Sequence, residues 1–509
     1  MMALMGIDIG TYKTSGVLVK DSGEVIAAAN AEHTISLPHP GWVEHDAEQV
    51  WWGGFTQVCR ELLVQSRIDP CLVKAVGVSA IAPCVLPLDG KGKPLRPAIL
   101  YGIDTRATAE VASLEGRLGR QAIFETCASH LSSQSAGPKI LWLRRHEPQV
   151  WKRTQLFLTG SGYLVYRLTG EAVLDIYTAT AYAPLMDIHT QSWSPLMAAP
   201  ITPLKRLPRL AWAVEVAGQV NGQASRETGL AEGTLVITGT ADAAAEAISA
   251  GMAQVGDLMV MFGSSVFFIL KTASLVTTER FWGAVFLEKG TYAVAGGIST
   301  AGSLTRWFKD QFAPQEKDAE QAGGIPAYQA LSKLAAHSQP GARGLVALPY
   351  FSGERTPLHD PQARGMFFGL RLDHTRGDLY RALLESVGYA IRHNIEALHS
   401  EGVHPQRILA VGGGIKNHLW MQMVSDIAGI ELVLPDKPWG ACYGDAFLAG
   451  IGAGLFPDTS EIPRWVGVQE IIRPDPDTRW VYDEVYPIFR ELYQQTAPLM
   501  HRLSQRDTA

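Results

Sequence analysis

Asp8 and Asp242 are the carboxylates in this chain best placed to do chemistry. Each stands in or just after an apolar run and beside a stretch of small residues. Burying an unpaired carboxylate is costly, so Asp8, in Leu4-Met5-Gly6-Ile7-Asp8-Ile9, needs a partner. A hydrated magnesium ion beside phosphates would supply one; a hydrogen bond to nearby backbone or to Lys13 is the plainer alternative. The turn Asp8-Ile9-Gly10-Thr11 has a counterpart half a chain later, Gly263-Ser264-Ser265. Each closes an apolar strand, residues 4–9 and 258–262, and opens a return strand, residues 15–19 and 266–270. Small residues let backbone N–H groups approach phosphate oxygens. One such turn is common without any ligand, but a matched pair is what holding a polyphosphate from two sides requires.

Asp242 follows a short strand, residues 235–238, and opens an alanine-rich helix, residues 242–249. As an N-cap it would contribute about 1 kcal/mol. As a general base it would accept the proton of a substrate hydroxyl during phosphoryl transfer, where a protein mainly positions reactants and neutralises charge. Its position leaves both roles open. The triplet Gly412-Gly413-Gly414, between a strand at 407–411 and a helix, offers a flat surface for a planar ring near a helix N-terminus. Close helix–strand packing is the alternative use of the same glycines. Asp104 and Arg106, behind Tyr101, form a fork-like polar pair suited to gripping a sugar, although an isolated D-x-R is more often a surface ion pair.

The elements that must position these residues alternate between strand and helix, which describes an α/β protein. Strands are expected at 75–79, 85–88 and 344–348, and helices at 48–63, 137–146, 300–312 and 379–399. Residues 313–326 read as a surface loop. Ile415, Leu419, Met423 and Ile427 mark one helix face, and the last fifty or so residues read as a C-terminal strap of helices. With 509 residues, two large domains are expected, divided as 1–250, 251–455 and a strap at 456–509. The formal net charge of −6, without a basic run, argues against a nucleic-acid partner. The five cysteines are never spaced C-x-x-C and read as reduced cytoplasmic thiols. No basic leader precedes the first strand, and the apolar stretch 258–270 is too short to span a bilayer. G-x-x-x-x-G-K-[ST] and strand–G-x-G-x-x-G–helix motifs are missing, which excludes P-loop and Rossmann nucleotide sites.

Taken in order, several longer motifs resemble those of the FGGY family of carbohydrate kinases, in the actin/hexokinase/Hsp70 ATPase superfamily. They are Gly6-Ile7-Asp8-Ile9-Gly10-Thr11, Gly239-Thr240-Ala241-Asp242, Gly263-Ser264-Ser265, the stretch Pro349-Tyr350-Phe351-Ser352-Gly353-Glu354-Arg355-Thr356-Pro357, and Gly412-Gly413-Gly414-Ile415-Lys416-Asn417. Gly41-Trp42-Val43-Glu44-His45-Asp46 and Trp51-Trp52 are similar to a segment of the xylulose kinases within that family. The resemblance implies two ribonuclease-H-like domains around a central cleft that closes on sugar and ATP. It implies Asp242 as the catalytic base, with Asp8 and Asp242 toward Mg2+. It places Gly10, Thr11, Lys13, Gly263, Ser264 and Ser265 on phosphates, and Gly412, Gly413 and Asn417 on adenosine. Ile81 and Ala82, with Tyr101, Asp104, Arg106 and Asp242, fall at the sugar. Here the chain departs from the xylulose kinase pattern: Ala80-Ile81-Ala82-Pro83 replaces Gln-Met-His-Gly, Ala243 replaces an Asn, and Tyr101 replaces a Trp. D-xylulose is the expected acceptor, with ribulose, erythrulose or another short polyol as alternatives, and a non-catalytic sugar sensor as a different class. A cytoplasmic enzyme, with a homodimer as its expected assembly and no membrane or nucleic-acid partner, completes the expectation.

Overall fold

An apolar run without polar alternation is the pattern of a strand covered on both faces. In the computed structural model the first such run is β1 (Ala3–Ile9), buried along nearly its whole length. The structure describes residues 2–437 and 439–506. β1 pairs antiparallel with β2 (Lys13–Lys20), and β2 with β3 (Val25–Glu32). On its other side β1 pairs in parallel with β4 (Val73–Ala80). With β5 (Val216–Gln219), β6 (Leu235–Ile237) and β7 (Thr240–Ala241), the order is β5-β6-β4-β1-β2-β3, and β7 also pairs with β4. Helix Ala441–Gly452 covers β1 and β4 and packs on helix Asp242–Ser249.

The same scheme recurs in the second half. β8 (Asp257–Phe262) pairs antiparallel with β9 (Val266–Thr272) and in parallel with β11 (Arg407–Val411). With β10 (Tyr292–Ile298), β12 (Leu432–Pro435) and β13 (Val468–Ile472), the order is β10-β9-β8-β11-β12-β13. The repeat seen in two turns therefore extends to four strands, β3-β2-β1-β4 matching β10-β9-β8-β11, while the two strands beyond them follow the chain in opposite order and Trp282–Val285 adds a further strand beside β10. Helices Arg376–Ser400 and His418–Ala428 pack on each other, the first opened by a Thr375/Asp378 capping box.

Two compact units divide the chain. One comprises Met1–Gln254, Lys271–Ala293 and Lys437–Gly467; the other comprises Val255–Leu270, Val294–Asp436 and Val468–Ala509. They are interleaved, unlike the contiguous division at 250 and 455. Two local expectations also need correction. Residues 314–321 of the expected loop form helix Pro314–Gln321, with proline in its first turn. The C-terminal strap is one helix, Pro476–Ser504, which buries Tyr482, Tyr486 and Phe489 but leaves Trp480 exposed.

Candidate active site

Strand register brings the first set of residues together. Asp8 of β1 and Thr240 of β7 both lie level with Ser79 of β4. Asp8 and Asp242 thus stand at the carboxyl ends of parallel strands, where open α/β sheets bind ligands. The Ser79 hydroxyl lies 2.9 Å from Asp8 Oδ1 and 2.6 Å from Asp445 Oδ2. A hydroxyl has one hydrogen to give, so the second contact takes its proton from a carboxyl group. Asp445 is fully buried, and its Oδ1 has no partner among the described residues. Burial, then the charge of Asp8, hold its carboxyl well above the usual range. Of the two carboxyls beside Ser79, Asp445 is the one that burial and the charge of Asp8 hold furthest toward the neutral form.

Asp242 is the first residue of its helix; the N-cap is Ala241, which offers no side-chain cap. The carboxylate of Asp242 accepts the Ala243 N–H at 2.8 Å. Its pKa is raised by burial and then by the charge of Asp8, while Asp8 is raised by burial against the opposing effects of Ser79 and Lys13. One turn further along the same helix, Glu246 is pushed up to about 7 by burial and by Asp8. The sequence reading missed Glu246 and Asp445. The four-residue spacing from Asp242, and a lone acid in the apolar stretch 441–452, were the available signals.

These shifts have a stability consequence. A carboxyl whose folded pKa exceeds its unfolded value stabilises the fold while protonated, and that contribution is lost as pH rises through the folded pKa. For Glu246 the window runs from about 4.5 to about 7, and Asp8, Asp242 and Asp445 act in the same direction. Thermal melting in the absence of divalent cations should therefore give a higher Tm at pH 5.5 than at pH 8. A Tm rising across that interval would contradict the burial of the cluster.

The turn after β1 is held from within. Gly10 N–H donates to Lys13 O at 2.8 Å, and the Thr11 and Tyr101 hydroxyls lie 3.1 Å apart. His45, kept neutral because burial lowers its pKa to about 4, accepts the Trp51 indole N–H at Nδ1, leaving Nε2–H to donate to Thr11 O. Ile81 is buried and Ala82 half-buried just beyond β4. The expectation for Asp104 and Arg106 is corrected: neither is a surface pair, and neither side chain is open to a ligand. Both side chains are fully enclosed and bonded to each other. Asp104 also accepts the Val43 N–H, while Arg106 pairs with Glu44 and stacks on Trp42. The enclosed Lys139 ammonium donates to Leu100 O and Tyr101 O at 2.7 Å each, pinning the backbone that carries Tyr101.

In the second unit the turns after β8 and β11 lie side by side, because those strands are parallel neighbours. Ser264 is exposed and Gly263 and Ser265 half-buried; the Gly263 and Ser264 carbonyls accept N–H groups from Ala301, Gly302 and Ser303. Gly412 has φ +93°, and a Cβ there would lie 2.8 Å from Phe262 O, so a side chain is excluded. Gly413 is exposed, with nothing within 4 Å of where a Cβ would sit, an open shelf. Asn417 caps helix His418–Ala428 through the Trp420 N–H at 3.2 Å. Among the described residues no helix is long and apolar enough to cross a membrane.

Residues 3–249 match the N-terminal domain, and residues 258–453 the C-terminal domain, of the FGGY family of carbohydrate kinases. The chain belongs to that family and is a sugar kinase that uses ATP. It is 32% identical over 504 residues to the xylulose kinase of Escherichia coli K12, covering 97% of this chain and 99% of that one. Among solved structures, xylulose kinase from Rhodospirillum rubrum superposes with a TM-score of 0.91 at 34% identity, covering 98% of this chain and all of the other. A second kinase, from Brucella ovis and described as a xyloylose kinase, gives 0.87 at 28% identity, again over 98% of this chain and all of that one.

Proposed function

We propose that this enzyme transfers the γ-phosphoryl group of ATP to a terminal hydroxyl of D-xylulose, giving D-xylulose 5-phosphate, and works in the cytoplasm. The observation that carries the reading is the half-buried Asp242 at the carboxyl end of β7, its pKa raised toward the range of a working base. Asp242 accepts the proton of the attacking hydroxyl, held in place by the Ala243 N–H. Backbone N–H groups and hydroxyls at Gly10-Thr11, with Lys13, and at Gly263-Ser264-Ser265 take the phosphates, and Gly412, Gly413 and Asn417 flank the adenosine. Ile81, Ala82 and Tyr101 form walls for the acceptor, while Asp104 and Arg106 stiffen the segment behind Tyr101.

The acid cluster fits magnesium. Magnesium keeps several waters and takes phosphate oxygens as ligands, so two carboxylates suffice as its protein partners. Asp8 and Asp242 would hold it through water, and when bound the ion neutralises charge on the transferring phosphoryl group. A coupled assay for ADP release over a panel of ketoses and polyols tests the reading. D-xylulose should stimulate turnover most strongly, with ribulose, erythrulose and other short polyols weaker. Sugar binding without ADP release would instead identify a sensor.

A further inference from the structure

We infer that Tyr177 is the residue that selects the acceptor, its phenol hydroxyl bonding a hydroxyl of the sugar next to the one phosphorylated. The inference rests on the kinase reading above and adds the contact that reading lacks. The positions expected to touch sugar are filled by Ile81 and Ala82, the residue after the base is Ala243, and Asp104 and Arg106 are closed off. Those walls have no polar group to recognise a polyol, apart from a Tyr101 hydroxyl already engaged with Thr11.

Tyr177 stands on a helix tied to the strand that leads into the base. Asp175 caps helix Ile176–Thr180 through the Thr178 N–H and accepts the Thr240 hydroxyl at 2.9 Å. Tyr177 and Asp242 each stand two residues beyond that hydrogen-bonded pair. The negative charges of Asp242 and Asp175 add to burial in raising the Tyr177 pKa, so the phenol remains a proton donor at any working pH. Phe286 packs edge-on against its ring, with centroids 5.7 Å apart at 87°, and limits how the hydroxyl can swing. Tyr182, five residues on, spends its hydroxyl on Cys84 O. Among the described residues the hydroxyl of Tyr177 has no protein partner, and its side chain is only half-buried. A donor on an element tied to that of the base, with nothing in the protein to bond, is what recognition of a short ketose or polyol requires.

The test is Tyr177→Phe, which removes a hydroxyl that bonds nothing in the fold and so should melt with the parent. With D-xylulose, KM for the sugar should rise roughly three- to ten-fold, the value of one neutral hydrogen bond. The change in kcat should stay within about two-fold and that in KM for ATP likewise. An acceptor lacking the hydroxyl next to the reacting carbon should discriminate the parent from Tyr177→Phe no further. An unchanged sugar KM in Tyr177→Phe, with the parent active on D-xylulose, overturns the assignment alone. A parent with no sugar-dependent ADP release overturns the kinase reading and this assignment together.

Discussion

Asp242→Asn is expected to lower kcat by about 10²- to 10⁴-fold with the preferred sugar, the usual contribution of a positioned general base. Asparagine matches aspartate in size and its amide oxygen still accepts the Ala243 N–H, so the helix start is preserved. What disappears is the proton acceptor. The loss should fall on kcat, with sugar KM changed little, because the interaction is made in the transition state. The same variant should melt at a higher temperature than the parent, since it removes a buried charge held against Asp8 and Glu246. Lower activity with greater stability separates a catalytic carboxylate from a structural one, whose loss would lower both. Turnover at the parental rate would rule out Asp242 as the base.

What the sequence revealed and what it hid have a common explanation in range. The two hairpins were legible because a strand, a turn of small residues and a return strand are neighbours in the chain. Asp8 and Asp242 were legible because a carboxylate next to an apolar run is locally anomalous. Ser79 and Asp445 were not: their tie to Asp8 depends on parallel register and on a helix that joins the first unit from late in the chain. Asp104 and Arg106 read as ligand-facing because exposure is invisible in a local motif; Trp42, from a distant segment, stacks on the guanidinium. Helix Pro314–Gln321 was hidden by its own composition, with no buried residue to mark a face. Family resemblance suggested roles for the two turns, whereas Tyr177 lies in no motif that the resemblance covers.

The site also depends on a seam that a single methyl group should open. Strands β1 and β4 lie against helix Ala441–Gly452 with glycine at the contact: a Cβ at Gly6 would lie 1.9 Å from Cys442 O, and one at Gly77 only 2.1 Å from Asp445 O. Both obstacles are backbone, so the helix would have to move by more than an ångström to make room. Gly6→Ala should cost about 3 kcal/mol as overpacking, lowering Tm by roughly 5 °C at about 2 cal/mol/K of unfolding entropy per residue over this unit. Because that helix carries Asp445, the displacement should also loosen the Asp445–Ser79–Asp8 chain and lower kcat. Gly116 supplies the control: it lies within helix Thr108–Leu118 with nothing within 4 Å of where a Cβ would sit. There the same exchange should raise stability by about 0.5–1 kcal/mol, the helix preference of alanine over glycine. Opposite signs from one substitution type tie the effect to the seam, because alanine shortens the unfolded chain's freedom equally at both positions. A Gly6→Ala protein melting with the parent would mean that the helix does not lie on β1, and the arrangement of carboxylates built on that contact would fail with it.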